Sequence, residues 1–353
     1  MRQDLINIIK EDCDRVTANF VDDLSVLRGE CILITGGTGF VGTWLTELIV
    51  FLNDAYGFNT KLVLLSSRAY NFSAKAPHLA LRKDILLVEQ DVRAFLDISS
   101  DVNWIIHAAA NPDSRLHASD PLKIIDVIIK GTESALMAAT RLPNLKKFLN
   151  ISSGLVYGLQ PLEMEVTPEN FRGVLDFTSI NSAYAEAKQM GETLCAVYRN
   201  QHRLPVVNAR PFAFIGPYQL LDRPWAINNF IRDSLLGSEI RILGDGETIR
   251  SYMYPSDMAL WLLVALVKGR IGASYNIGSS HGITLKSLAS IICSNFANPP
   301  EITVGSSEIT KLKRSKLVPD TSLASKELKL DLTVNIKESI RKTILWNLAL
   351  MRN

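Results

Sequence analysis

The sequence predicts an α/β protein built on a doubly wound parallel sheet, followed by a smaller α/β part. Three observations carry this. Strand-length apolar runs alternate with helical patterns from Cys31 to about Ile151. The first run, residues 31–35, turns through Gly36, Gly39 and Gly42 into a helical pattern containing Trp44, Leu45, Leu48, Ile49 and Leu52. Later strands deliver small or hydroxyl-bearing residues to one edge.

The 353-residue chain is 47% hydrophobic and 21% charged, enough to bury one large core or two interlocked ones. Lys and Arg number 38 against 36 Asp and Glu, a net +2. No basic block is dense enough for a nucleic-acid surface, so no nucleic-acid partner is expected. Cys13, Cys31, Cys195 and Cys293 are far apart and lack metal-ligand spacing. They read as free buried thiols of a reducing cytoplasm, and no metal is expected. Asp4, Glu11, Asp12 and Asp14 interrupt the region a signal peptide would need. The apolar run 258–267 is half of the roughly 20 residues of a membrane span, so it reads as a buried helix without a membrane partner.

Residues 1–28 place Leu5, Ile8, Ile9, Val16, Phe20, Val21, Leu24 and Leu27 at helical spacing, an amphipathic arm expected to pack on its own domain rather than on a second subunit. Strands are predicted at 31–35, 61–66, 85–88, 103–107 and 147–152. Helices are predicted near 43–56, 73–82, 120–141 and 182–200. Right-handed crossovers bring the strand C-terminal ends to one edge, where ligands bind.

At that edge the spacing Gly36-x-x-Gly39-x-x-Gly42 suits a dinucleotide phosphate: a tight turn, a backbone approach without Cβ, and a close helix–strand contact. The second strand ends in Ser67 and Arg68 instead of an acidic residue, which favours the 2′-phosphate of NADP unless Arg68 is a solvated loop residue. Asp91, before Val92, either accepts from an adenine amino group or caps a helix over 92–97. Ala108, Ala109 and Ala110 leave room for a flat cofactor, and His107 before them reads as structural. The fifth strand delivers Ser152 and Ser153. Tyr184 and Lys188, at i and i+4, share a helix face, where an ammonium is expected to lower the phenol toward neutrality and make it a proton carrier.

Together, 35–42, His107-Ala108-Ala109, 152–158, Tyr184 to Lys188, and Arg210-Pro211-Phe212 with Gly216-Pro217 resemble an extended short-chain dehydrogenase/reductase. More narrowly, they resemble the NAD-dependent epimerase/dehydratase family of nucleotide-sugar enzymes. The resemblance implies a Rossmann-type fold with residues 29–213 and 255–278 binding NADP or NAD, NADP slightly favoured. Residues 214–254 and 279–353 would bind the nucleotide-diphosphate sugar. It implies Ser153, Tyr184 and Lys188 as catalytic residues. Gly36, Thr38, Gly39, Phe40, Val41, Gly42, Ser67, Arg68, Asp91, Val92, Ala108, Ala109, Ala110, Tyr184, Lys188 and Pro211 would touch the cofactor. Ser153, Asn229, Ile242, Arg250 and Arg314 would touch the substrate. A homodimer is expected by the same resemblance.

Departures narrow the reaction. Sugar 4,6-dehydratases of the family carry Asp-Glu after the catalytic Ser or Thr, and the uronate decarboxylases keep the glutamate. Here Gly154 and Leu155 stand there, and neither moves a proton. Ile128 and Ala213 replace two asparagines of the family pattern. The reading is an epimerase that transiently oxidises a sugar hydroxyl, at C4, through Ser153, Tyr184 and Lys188. Its alternatives are an NADPH-dependent 4-keto-sugar reductase, a 4,6-dehydratase, and a non-catalytic scaffold or RNA-binding relative.

Overall fold

The computed structural model describes residues 3–94, 98–306 and 315–351. Helices α1 (Gln3–Thr17) and α2 (Val21–Leu24) precede β1 (Cys31–Thr35), α3 (Phe40–Tyr56), β2 (Lys61–Ser66), α4 (Phe72–Lys75), α5 (Pro77–Ala80) and β3 (Ile85–Glu89). Then come β4 (Trp104–His107), α6 (Ser114–Ser119), α7 (Pro121–Ala139), β5 (Lys147–Ile151), α8 (Ala183–His202), β6 (Val206–Pro211) and β7 (Ala213–Phe214). Next are α9 (Ala226–Leu235), β8 (Ile240–Ile242), β9 (Ile249–Arg250), β10 (Tyr252–Met253), α10 (Pro255–Lys268) and β11 (Ser274–Ile277). Past these lie β12 (Ile283–Thr284), α11 (Leu285–Cys293), β13 (Ile302–Val304), β14 (Lys316–Leu317) and the helices Ser322–Leu328 and Ile336–Met351.

Seven strands form one sheet in the order β11-β6-β5-β4-β1-β2-β3, every pairing parallel. All five residues of β1 are buried, as a central strand covered on both faces requires. The chain's order reverses between β1 and β4, so the ends of these strands, Thr35 and His107, open the crevice where doubly wound sheets bind ligands. This is the Rossmann-type fold the sequence predicts. A second core, including Ile227, Phe230, Ile240, Ile242, Leu288 and Ile292, gathers α9, β8 and α11.

Two predicted helices differ from expectation. α3 begins at Phe40, three residues before Thr43, so the glycine turn is tighter than expected. The helix expected over 73–82 is broken into α4 and α5, because Pro77 lacks an amide hydrogen and keeps Ala76 out of the helical conformation, at φ −141° and ψ 69°. Conversely, α7 starts within a residue of the predicted 120, with Asp120 accepting from the Lys123 amide and Pro121 at the first helical position.

The N-terminal arm packs on its own chain. Leu5, Ile9, Cys13 and Val16 of α1 share a core with Trp44 and Leu48 of α3 and Met258 and Leu262 of α10. Asp12, fully buried on the same helix, accepts from the Tyr254 hydroxyl at 2.7 Å and pairs with Lys342 of the C-terminal helix. Pro255 to Leu266 of α10 are all buried, and no helix among the described residues is long and apolar enough to cross a membrane. The four cysteines are free and buried.

His107 is structural. Its Nδ1 lies 2.9 Å from Thr35 Oγ1 and its Nε2 lies 3.2 Å from Thr132 Oγ1. The Thr132 hydroxyl donates to the Ile128 carbonyl, so it accepts from Nε2–H, and Nδ1 accepts from Thr35. Burial, helped by the Lys188 ammonium, pushes the imidazole down to about 3. An imidazole that stays neutral in the fold but protonates when unfolded contributes stability above pH 6.5 and loses it as pH falls toward 3. Between pH 7 and 5 this group should cost about 2 kcal/mol. Urea denaturation at both pH values should show a flatter dependence for His107→Gln; an equal slope in both proteins refutes the assignment.

Candidate active site

The β1–α3 turn is a cradle without side chains. Gly36 has φ +67°, and a Cβ there would come within 2.7 Å of the Ala108 carbonyl oxygen at the end of β4. Gly39 is exposed and heads α3 without a side-chain cap. The amides of Phe40, Val41 and Gly42 have no backbone acceptor among the described residues. Bare backbone at Gly39 and an uncapped helix start together fit a dinucleotide pyrophosphate. The Phe40 ring stacks on Phe214 at 6.3 Å, while Val41 is half-buried against the main core.

At the end of β2, Thr38 Oγ1 donates to Ser66 Oγ at 2.9 Å, and the Arg68 amide reaches the same oxygen at 3.3 Å. Ser66 therefore faces the glycine turn, one residue earlier than the Ser67 expected there. Ser67 and Arg68 are exposed, and the Arg68 guanidinium makes no hydrogen bond or ion pair among the described residues. Lys75 was not foreseen. Its ammonium donates to the carbonyls of Thr38 (3.1 Å) and Gly39 (3.3 Å) and to Thr43 Oγ1 (2.8 Å). Burial, with some help from Arg223, lowers it to about 8. The residue lies in a broken crossover helix without motif, so only the fold reveals that it adds positive charge beside the turn.

Asp91 heads the 3₁₀ turn Val92–Ala94, accepting from the Arg93 amide at 2.9 Å, and both its oxygens hold the Arg93 guanidinium. Its capping role is thus visible. Val92 is buried against Gly131 of α7. Ala108, Ala109 and Ala110 lie half-buried past the end of β4, and Pro211 ends β6 opposite Ile277.

Ser153, Tyr184 and Lys188 come together. α8 begins at Ala183, so Tyr184 and Lys188 occupy its first two turns on one face. Ser153 Oγ accepts from the Leu155 amide at 3.1 Å and lies near enough to the Tyr184 hydroxyl to favour its ionised form, whereas the adjacent Ser152 hydroxyl is buried with no partner among the described residues. Lys188 Nζ donates to the Ile151 carbonyl at the end of β5, 2.6 Å away, and burial lowers it to about 8. The expected lowering of the phenol by Lys188 is not met. Tyr184 packs with Ile124, Ile128 and Ala187, and burial pushes its hydroxyl up to about 12, against a smaller lowering from Ser153. Ile128, where the family pattern has asparagine, forms part of that apolar wall.

The substrate-side residues divide. Arg250 is half-buried, and its guanidinium donates only to neutral oxygens: the Ile249 carbonyl (2.8 Å), the Ser315 carbonyl (3.1 Å) and Ser315 Oγ (2.9 Å). It has no carboxylate partner among the described residues, and burial lowers its pKa. Asn229 is half-buried on α9 with a side chain free of hydrogen bonds among the described residues, whereas Asn228 donates to the Leu220 carbonyl. Ile242 is buried in the second core. Arg314 lies outside the described residues.

Gly154 explains itself structurally: a Cβ there would sit 2.9 Å from two carbons of the Phe212 ring. Leu155 is 43% exposed. Gly154→Asp, which restores the dehydratase residue, should lower stability by about 1–3 kcal/mol through overpacking and yield no dehydratase activity. Thermal melts and product NMR check this, and a stable variant that eliminates water contradicts it.

A model of the family described as NAD dependent epimerase/dehydratase matches residues 32–278. The chain is 28% identical to UDP-glucuronic acid decarboxylase 1 of Xenopus tropicalis over 89% of this chain and 71% of that protein. It is 26% identical to a trifunctional UDP-glucose 4,6-dehydratase/epimerase/reductase of Arabidopsis thaliana over 92% of this chain and 48% of that protein. Among solved structures, UDP-glucuronic acid 4-epimerase of Bacillus cereus in complex with NAD superposes with a TM-score of 0.76 at 24% identity, covering 91% of this chain and 98% of the other. UDP-glucose 4-epimerase of Thermotoga maritima gives 0.75 at 22% identity, covering 91% and 99%. With the glycine cradle, the Ser153–Tyr184 contact and a family match over most of its length, the chain belongs to the NAD dependent epimerase/dehydratase family of nucleotide-sugar enzymes.

Proposed function

We propose that the protein is a nucleotide-sugar epimerase that transiently oxidises a sugar hydroxyl, at C4. The observation that carries this is the convergence of Ser153 at the end of β5 with Tyr184 and Lys188 on one face of α8, with Gly154 and Leu155 offering no acid or base for elimination. Acting as phenolate, Tyr184 Oη takes the hydroxyl proton and later returns it, while Ser153 Oγ holds the same oxygen. Because burial alone pushes the phenol up to about 12, the positive charge of Lys188 and of a bound oxidised dinucleotide would have to favour that phenolate. Lys188 supplies positive charge one turn away. The backbone of 36–42, with Thr38 and Ala108 to Ala110, would hold a dinucleotide, which supplies the hydride acceptor. Residues 29–213 and 255–278 are read as the cofactor-binding part, and the protein as a cytoplasmic homodimer. The decisive experiment incubates the protein with UDP-, GDP-, CDP- and dTDP-sugars and follows products by NMR, with and without NADPH. Epimers formed without added reductant support the reading. Water elimination or decarboxylation would overturn it.

A second reading, a 4-keto-sugar reductase using NADPH, draws on the end of β2, where Ser66, the exposed Arg68 and nearby Lys75 offer hydroxyl and positive charge to a 2′-phosphate. Stoichiometric NADPH consumption with a keto sugar would favour it.

Arg250 is read as the ligand of the substrate diphosphate, because a desolvated guanidinium without a carboxylate is matched by a phosphate. Arg250→Ala should raise KM for the turned-over sugar nucleotide by roughly 10- to 100-fold with kcat nearly unchanged. A KM equal to that of the unmodified enzyme removes Arg250 from the site.

A further inference from the structure

We propose that His117 is a positioning residue for the Tyr184 phenol, and this rests on the reading of Tyr184 as the proton carrier. The two rings stack face to face, centroids 4.3 Å apart and planes 15° apart. Such a close, near-parallel pair leaves little freedom for either ring to tilt. The imidazole is itself fixed, since Nε2 lies 2.8 Å from the Asn111 carbonyl oxygen. A carbonyl only accepts, so Nε2 carries the hydrogen and the ring plane is set by that bond.

The backing reaches further. His117 lies on α6, a short helix with no buried residue, whose place is held by its cap. Asp113 accepts from the Arg115 amide at 3.0 Å, and its carboxylate also binds the guanidinium of Arg223, 2.7 Å away, from the segment between β7 and α9. The ion pair to Arg223 therefore ties α6 to the segment between β7 and α9.

The remaining neighbours of Tyr184 do not set its direction. Ile124, Ile128 and Ala187 are aliphatic and pack without orientation preference, and Lys188 points to the Ile151 carbonyl. Among the described residues His117 is the contact that fixes the ring plane, while Ser153 lies by the hydroxyl. Misplacement of a reacting group by about 1 Å can cost roughly a hundredfold in rate, so loss of the stack should appear in kcat.

The test compares His117→Ala, which removes the stack, with His117→Phe, which keeps a ring there, and with Tyr184→Phe. UDP-glucose, UDP-glucuronic acid, GDP-mannose and dTDP-glucose are the probes, with turnover read by NMR. His117→Ala should lower kcat about 10- to 100-fold with KM within about threefold and a cooperative melt retained a few degrees lower at most. His117→Phe should recover to within about threefold of the unmodified enzyme. An unchanged kcat in His117→Ala, or a His117→Phe variant as slow as it, overturns the proposal while an inactive Tyr184→Phe leaves the catalytic reading standing. Activity in Tyr184→Phe, or no turnover of any probe by the unmodified enzyme, overturns that reading and this proposal with it.

Discussion

Tyr184→Phe should lower turnover by roughly 10²- to 10⁴-fold while leaving the fold intact. The variant keeps the ring, its stack on His117 and its apolar wall of Ile124, Ile128 and Ala187, and loses one hydroxyl that lies by Ser153. Ser153 Oγ retains the Leu155 amide, so the stability change should stay within about 1.5 kcal/mol. Steady-state NMR assays on the sugar panel, with parallel melting curves, separate chemistry from folding. Turnover near that of the unmodified enzyme would remove the phenol from the mechanism.

The second large effect is expected at Gly36. Gly36→Val must place a β-branched residue at φ +67°, where side chains are strained, and drive its Cβ to 2.7 Å from the Ala108 carbonyl oxygen and 2.9 Å from Ala109 Cα. Strain and clash together should cost several kcal/mol and displace the turn that opens the phosphate cradle. Gly57 supplies the control: its φ is +62°, but a Cβ there would meet nothing within 4 Å. Gly57→Ala should therefore lose only about 1–2 kcal/mol and keep dinucleotide binding. Calorimetric titration with NADH and NADPH on both variants distinguishes the two cases. Equal affinities in both would mean that the glycine turn does not hold the dinucleotide.

These two sites were legible because their signals are local. A glycine turn between strand and helix, or two residues one helical turn apart, is written in consecutive letters, and the fold brings Ser153 to Tyr184 by carrying β5 to the edge the alternation predicts. Strand bounds came close for the same reason. What stayed hidden depends on contacts between separated segments. Lys75 against the glycine turn, His117 against Tyr184 and Phe212 against Gly154 each join residues from different crossovers. The direction of the Tyr184 shift was misjudged because spacing shows Lys188 nearby but not that Ile151 claims its ammonium, nor that isoleucines surround the phenol.

The pairing of Asp12 with Lys342 constrains how the chain is made. The two residues are separated by 330 positions. At roughly 5–20 residues per second, the partner of Asp12 leaves the ribosome about 20 to 60 seconds after it. During that interval burying α1 would strand a carboxylate among Leu5, Ile9 and Val16 without its cation. With Asp12 ionised, α1 can bury its apolar face only once the C-terminal helix brings Lys342 to it, so the sheet has to form beneath an arm that waits.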